Sequence, residues 1–422
     1  MEVRPGYKLT EAGVIPEDWC VSTISELAAI KTGPFGTLLK AEEYSGTNGV
    51  PLISVGEIRQ GFLRVTEDTP RVPEAVIRRL PQYVLRKGDI VLGRKGGVER
   101  SALIRQHEDG WFLGSDGISI RPLRGCHDEY LALQFRSHQI REWLAQNAIG
   151  TTMPSLNQGI LKRLIVPLPP SKGEQVAIAK AVSDADALIE SLEQLLAKKR
   201  DIKQGAMQEL VVGKRRLPGF TGEWRQIGLG TLFTFKNGLN KGKGFFGFGT
   251  PIVNYMDVFR NSKIHCAELE GRVSLNAQEM KNFDVQKGDV LFTRTSETAE
   301  EVGMASVIID EPHDTVFSGF VLRARPKTDA LCNQFKAHCF RSEYVRAQIV
   351  AKASYTTRAL TNGRTLSAVT LRVPSPAEQT AIASLLSDME AEIAALETKL
   401  AKARQIKQGM MQNLLTGKIR LV

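Results

Sequence analysis

Ser171 to Leu217 reads SKGEQVAIAKAVSDADALIESLEQLLAKKRDIKQGAMQELVVGKRRL, and Ser375 to Leu421 reads SPAEQTAIASLLSDMEAEIAALETKLAKARQIKQGMMQNLLTGKIRL. At an offset of 204, with no gap, 27 of the 47 aligned positions are identical. A repeat of that quality fixes the architecture before any other feature is weighed. In the first copy Ile178, Ala185, Leu192, Lys199 and Ala206 fall at d, and Val182, Ile189, Leu196, Lys203 and Leu210 at a. In the second, Ile382, Met389, Leu396, Ala403 and Met410 take d, and Leu386, Ile393, Leu400, Lys407 and Leu414 take a. Five heptads of mostly apolar a/d residues with charge outside them predict the seam of a coiled coil. Proline-rich starts (Pro167-Leu168-Pro169-Pro170 and Pro374-Ser375-Pro376) and glycine stops (Gly213, Gly417) bound each helix. About 39 residues at 1.5 Å each would make a rod of roughly 58 Å.

The repeat continues more weakly outside the helices. Gly49–Ile53 matches Gly249–Val253, Lys87-Gly88-Asp89 matches Lys287-Gly288-Asp289, and Arg136-Ser137 matches Arg341-Ser342. Thr151-Thr152 and Asn157 match Thr356-Thr357 and Asn362. The chain therefore reads as unit, helix, unit, helix: 1–168, 169–214, 215–373 and 374–422. Each unit mixes short β-rich runs (Pro51–Ile58, Asp89–Leu92, Ile118–Arg121; Pro251–Val258, Asp289–Thr293, Phe320–Ala324) with a helical stretch (His127–Ala148; Asp329–Ala353). The expected fold class is α/β or α+β, two globular domains separated by two long α-helices. Chain connectivity makes a pair of such helices antiparallel, with the units at its two ends in pseudo-twofold relation. The plainer alternative is two amphipathic helices that pack only on their own units.

Composition narrows the function. The 422 residues are 42% hydrophobic and 24% charged, as in ordinary globular domains. The five cysteines form no C-x-x-C pair, and no run approaches the ~18 apolar residues of a membrane helix. The opening Met1–Tyr7 lacks the apolar stretch of a secretion signal, so a soluble, cytoplasmic protein is expected. A net charge of +10 points to a polyanionic partner. Between Val76 and Arg105 lie eight Lys or Arg against Asp89 and Glu99. Arginines beside glycines suit phosphate approach and the reading of guanine edges. The expected nucleic-acid contacts are Arg94, Lys95, Arg100, Thr151 and Thr152 in the first unit, and Lys241, Lys243, Arg294, Thr295, Thr356, Thr357 and Arg358 in the second.

Enzyme motifs fail one by one. Gly242–Gly247 satisfies G-x-G-x-x-G but precedes its strand, which excludes a dinucleotide fingerprint. Phe245–Gly249 fits F-x-G-x-G, yet no [DNS]-P-P-[YFW] tetrapeptide accompanies it, as an S-adenosylmethionine-dependent methyltransferase would need. Glu397-Thr398-Lys399 lies inside the coiled-coil repeat, no Walker loop occurs, and the six histidines form no metal-type pair. No catalytic residue, metal or cofactor is expected on this chain.

The helix openings Pro167-Leu168-Pro169-Pro170…Glu174-Gln175…Ile178 and Val373-Pro374…Glu378-Gln379…Ile382 resemble those of the specificity subunits of type I restriction-modification enzymes. Gly13–Trp19 and Arg216–Phe220…Trp224 look like that family's entries into its two target recognition domains. The resemblance implies a non-catalytic subunit that binds double-stranded DNA, each recognition domain reading one half of a bipartite target. It further implies docking of two methyltransferase subunits, with restriction/translocase subunits in the full enzyme. S-adenosylmethionine and ATP/Mg would be held by those partners. A scaffold that docks a methyltransferase without reading a defined sequence remains the alternative.

Overall fold

The computed structural model describes residues 4–44, 48–150, 152–355 and 357–421. The repeated stretches form two uninterrupted helices, a central one over Lys172–Leu210 and a C-terminal one over Pro376–Leu414. Every a and d position is buried or half-buried, while exposed Leu188, Leu195, Ile202 and Ile406 lie off the seam. Two compact units form, Met1–Glu193 with Lys399–Val422, and Gln194–Thr398, so each helix contributes one segment to each unit.

In unit one the central segment runs antiparallel to its C-terminal partner. Asp186 pairs with Lys407, and Glu193 Oε1 lies 2.6 Å from Arg404 Nη2. Ile178, Ala179 and Val182 pack with Leu414, Leu415 and Trp19. Unit two holds the duplicated pairs, Lys203–Glu390 at 2.9 Å and Arg200–Glu397 at 2.5 Å, again antiparallel. The seam lysines are thus each answered by a carboxylate, Lys199 included, whose Nζ is 2.6 Å from Glu392. Half-buried lysines at a and d positions are tolerated because the stems pack while the heads pair.

The globular part of unit one centres on a four-stranded antiparallel sheet with strand order Ala28–Thr32, Gly117–Pro122, Ile90–Gly93, Ser101–Leu103. A three-stranded sheet (Arg71–Val72, Val50–Ile53, Phe112–Leu113) adjoins it. Unit two keeps the frame in a five-stranded sheet: Phe233–Asn237, Val321–Pro326, Val290–Thr293, Ala305–Ile308, Lys263–Ile264. A three-stranded sheet of Arg272–Val273, Phe246–Val253 and Val316–Phe317 lies beside it.

Several expected boundaries move. The run Pro51–Ile58 is strand only to Ile53. The run Pro251–Val258 ends as strand at Val253 and turns into the helix Tyr255–Arg260, because Asn254 and Asp257 form a capping box there. Each expected single helix is two. Asp128–Arg136 and His138–Asn147 are separated by Ser137, whose hydroxyl accepts the Ile140 N–H and so starts the second helix. Asn333–Cys339 and Glu343–Lys352 are likewise separated, with Ser342 as N-cap.

Candidate nucleic-acid interface

Lys-Gly-Asp begins the site in both units. Gly88 and Gly288 have φ of +89° and +87°, a left-handed turn that glycine adopts without a Cβ penalty. The next residue is a buried aspartate. Asp89 accepts the Arg86 N–H at 2.9 Å and two bonds from Arg121, Nε at 2.7 Å and Nη2 at 2.6 Å. Asp289 accepts the Gln286 N–H at 2.8 Å and is held by Arg325 Nη2 at 2.8 Å. This bond to Asp89 is the chief reason that the Arg121 guanidinium holds its proton above its ordinary range. A buried carboxylate paired in this way anchors the start of the strand whose far end delivers the expected contacts.

In unit one that far end is Arg94-Lys95. The Gly96 N–H donates to the Pro154 carbonyl at 2.9 Å, the Leu156 N–H donates to the Arg94 carbonyl at 2.8 Å, and Lys95 bridges Ser155. The turn is therefore laced to the segment holding Thr152, which is exposed; Thr151 lies outside the described residues. Arg94 is half-buried, its guanidinium 5.2 Å above the Phe35 ring and its Nη1 donating to Ser115 O at 3.3 Å. Lys95 Nζ stands 4.0 Å from Asp116. Arg100 sits on the other limb of the hairpin, folded against Gly97 and 3.6 Å from Glu99.

Unit two repeats the lacing with other contents. The Thr361 N–H donates to the Arg294 carbonyl at 2.9 Å, and Thr295 pairs with Leu360. Ser354–Tyr355 closes a three-stranded ribbon whose turn carries Thr357 and Arg358, both exposed; Thr356 lies outside the described residues. Arg358 Nη2 is 3.6 Å from Glu297, and Arg294 Nε is buried without a hydrogen-bond partner among the described residues.

Lys241 and Lys243 belong to a different segment. Lys241 Nζ donates to Glu279 at 2.6 Å and to Ser274 O at 2.9 Å, and its bond is the main reason the Glu279 carboxyl lies below the ordinary carboxylate range. Its ammonium is thereby committed inside the protein, whereas Lys243 is exposed on the turn Lys243–Phe245.

Sequence reasoning missed residues that only the fold brings in. Phe35, Tyr44, Ser115 and Asp116 share a cavity of about 480 Å³ with Arg94 and Lys95. Exposed Phe320 lies beside Arg294, whose N–H donates to its carbonyl at 3.0 Å, and exposed Tyr355 stands across the ribbon. Guanidinium, ammonium and hydroxyl donors rimmed by exposed aromatic rings suit phosphate clamping, base-edge bonds and stacking.

The role of Glu-Gln at each helix start was also missed. Glu174 and Glu378 are 1% exposed. Arg420 Nη2 reaches Glu174 at 2.8 Å, and Arg216 Nη2 reaches Glu378 at 2.7 Å. Gln175 and Gln379 each bridge backbone in the neighbouring loop, accepting the N–H of His127 at 2.8 Å and of Cys332 at 2.9 Å. The duplicated Glu-Gln spacing was the available signal.

Two stretches, residues 16–198 and 227–405, match the family model described as type I restriction modification DNA specificity domain. The type I restriction enzyme MjaVIII specificity subunit of Methanocaldococcus jannaschii is 28% identical over 217 residues; the match spans 50% of this chain and 49% of that protein. The EcoKI specificity subunit of Escherichia coli K12 is 22% identical over 342 residues, 76% of this chain and 71% of that one. The crystal structure of the S subunit of the type I restriction-modification system of M. genitalium shares the fold, with a TM-score of 0.54 at 16% identity, over 98% of this chain and 99% of the other. Among the described residues no helix is long and apolar enough to cross a membrane. With two copies of the family's domain covering most of its length, the chain belongs to the type I restriction-modification DNA specificity subunits.

Proposed function

We propose that this chain is the non-catalytic sequence-reading subunit of a cytoplasmic type I restriction-modification complex, each recognition unit reading one half of a bipartite duplex target. The observation that carries the reading is the pair of laced turns. The same Lys-Gly-Asp anchor and strand present Arg94-Lys95 beside Thr152 in one unit and Arg294-Thr295 beside Thr357-Arg358 in the other. A common frame with unlike contents is what two different half-sites require. The near-identical helices, paired as an antiparallel coiled coil, act in this reading as spacer and as two equivalent docking surfaces for methyltransferase subunits. Those partners, and any restriction/translocase subunits, carry S-adenosylmethionine and ATP/Mg.

The test is methylome sequencing of cells expressing the chain with its modification subunit. A split adenine-methylated motif that disappears without the chain supports the reading. Methylation unchanged by its removal, or binding equally tight to every duplex with partners present, overturns it.

A further inference from the structure

At the end of strand Ile90–Gly93 opposite to the Arg94-Lys95 turn, unit one has a second basic feature. It is a cleft of about 370 Å³ between the Arg86-Lys87 turn, the Arg124–His127 loop and Lys172, the first residue of the central helix. That volume falls in the range of small-molecule sites, ~300–1,000 Å³. The side chains of Arg86, Lys87, Arg124 and Lys172 are exposed and make no hydrogen bond or ion pair among the described residues. The carboxylates at the cleft are Asp89, already held by Arg121, and Asp128, 3.8 Å from His127 Nε2. His127 Nδ1 is buried without a hydrogen-bond partner among the described residues. Four exposed cations without a carboxylate partner around one concave volume set up a local positive potential that attracts a small anion.

Unit two shows that the frame does not demand this charge. Gln286 stands where Arg86 does, and Lys287 is 3.4 Å from Glu311. The loop reads Lys327-Thr328-Asp329, with the Lys327 ammonium donating to Gly230 O at 2.6 Å. Cys332 and Pro376 replace His127 and Lys172. The positive cluster is therefore a property of one copy, not of the scaffold.

We propose that this cleft binds a small multiply charged phosphoanion, a di- or triphosphate group free or on a nucleotide. The anion would tie the recognition loops to the start of the central helix. The cleft lies at the opposite end of strand Ile90–Gly93 from the laced turn, so the proposal does not depend on the DNA-reading assignment.

The test uses the full chain and sodium tripolyphosphate as probe, followed by calorimetry and thermal melting at constant ionic strength. Saturable binding with a rise in Tm is expected, weakened about tenfold for each charge-assisted contact removed in R124Q and in R124Q/K172Q. Both positions are exposed, so the variants should fold as the parent does. No saturable binding, or equal affinity in the double variant, overturns the proposal. So does displacement of the probe by a short random duplex with loss of duplex affinity in R124Q/K172Q, which would assign the cleft to DNA instead.

Discussion

Arg420 and Glu174 are 246 positions apart in sequence, yet Nη2 of one donates to Oε2 of the other at 2.8 Å. Arg420 also binds Asp18 and lies over the Trp19 ring, 5.8 Å from its centroid. Arg216 repeats this with Glu378 and Trp224, whose Nε1 donates to the same carboxylate at 2.9 Å. The stop of one long helix is thereby locked to the start of the other within each unit. Gly417 and Gly213, with φ of +67° and +73°, make the close approach possible, since a Cβ would fall 2.5 Å from Pro16 or 3.0 Å from the Trp224 ring.

Removing the guanidinium strands a buried carboxylate, which costs more than the ion pair itself contributes. Because Arg420 is partly exposed, R420A should destabilise unit one by about 2–3 kcal/mol, below the range for a fully buried pair. R420A/E174Q should recover part of the loss. Denaturant unfolding checks both; an R420A midpoint equal to that of the parent would remove the lock from the account.

Base reading should follow the laced turns. R94A and R294A should each cost about 1–3 kcal/mol if the guanidinium makes a bidentate base contact, and each should relax only its own half of the target. R358A, at an exposed tip, should weaken all duplexes alike and reduce the salt slope by about one. Competition binding with partner subunits present, over a salt series, separates the two behaviours. Uniform loss in R294A would demote it to a phosphate contact.

Acid should loosen unit two first at His338. Its imidazole is 2% exposed, and burial lowers its pKa to about 4 from an ordinary 6.5. Glu390, 3.9 Å away, opposes that shift, while Lys263 and Lys203 add to it. The unfolded chain takes up a proton below pH 6.5 that the folded chain refuses until about pH 4. Stability is therefore complete above 6.5 and falls with decreasing pH by about 1.4 kcal/mol per unit across that window. Melting of the parent between pH 7 and 5 should show this slope, and H338Q should flatten it.

How much was legible follows from range. The seam residues Ile178, Val182, Ile189, Leu192, Leu196, Ile382, Leu386, Met389, Ile393, Leu396 and Leu400 are periodic, so their burial can be read locally. The Asp89 and Asp289 anchors announce themselves by Gly88 and Gly288. Phe35 beneath Arg94, or Glu279 capturing Lys241, cannot be read locally, because their partners are decided by how sheets fold together. The break at Ser137 was readable as an N-cap but was hidden by the apolar periodicity on either side.

In the proposed reading the paired helices set the spacer, and their length can be changed. Asp186–Lys407 and Lys203–Glu390 are one ion pair written twice, as are Glu193–Arg404 and Arg200–Glu397. Any change that keeps both copies must be made at equivalent points. Seven residues inserted after Gln194 and after Thr398 keep every a and d position in phase and leave each pair within its own unit. Each helix then lengthens by about 10 Å at 1.5 Å per residue. At ~3.4 Å per base along a strand, that corresponds to roughly three base pairs of extra gap. The expected outcome is an unchanged pair of half-sites read across a longer spacer, scored by methylome sequencing with the modification subunit present. An insertion of seven in one helix alone leaves the opposing pairs out of step and should abolish methylation. If the double insertion accepts the original spacing, the helices are not the ruler.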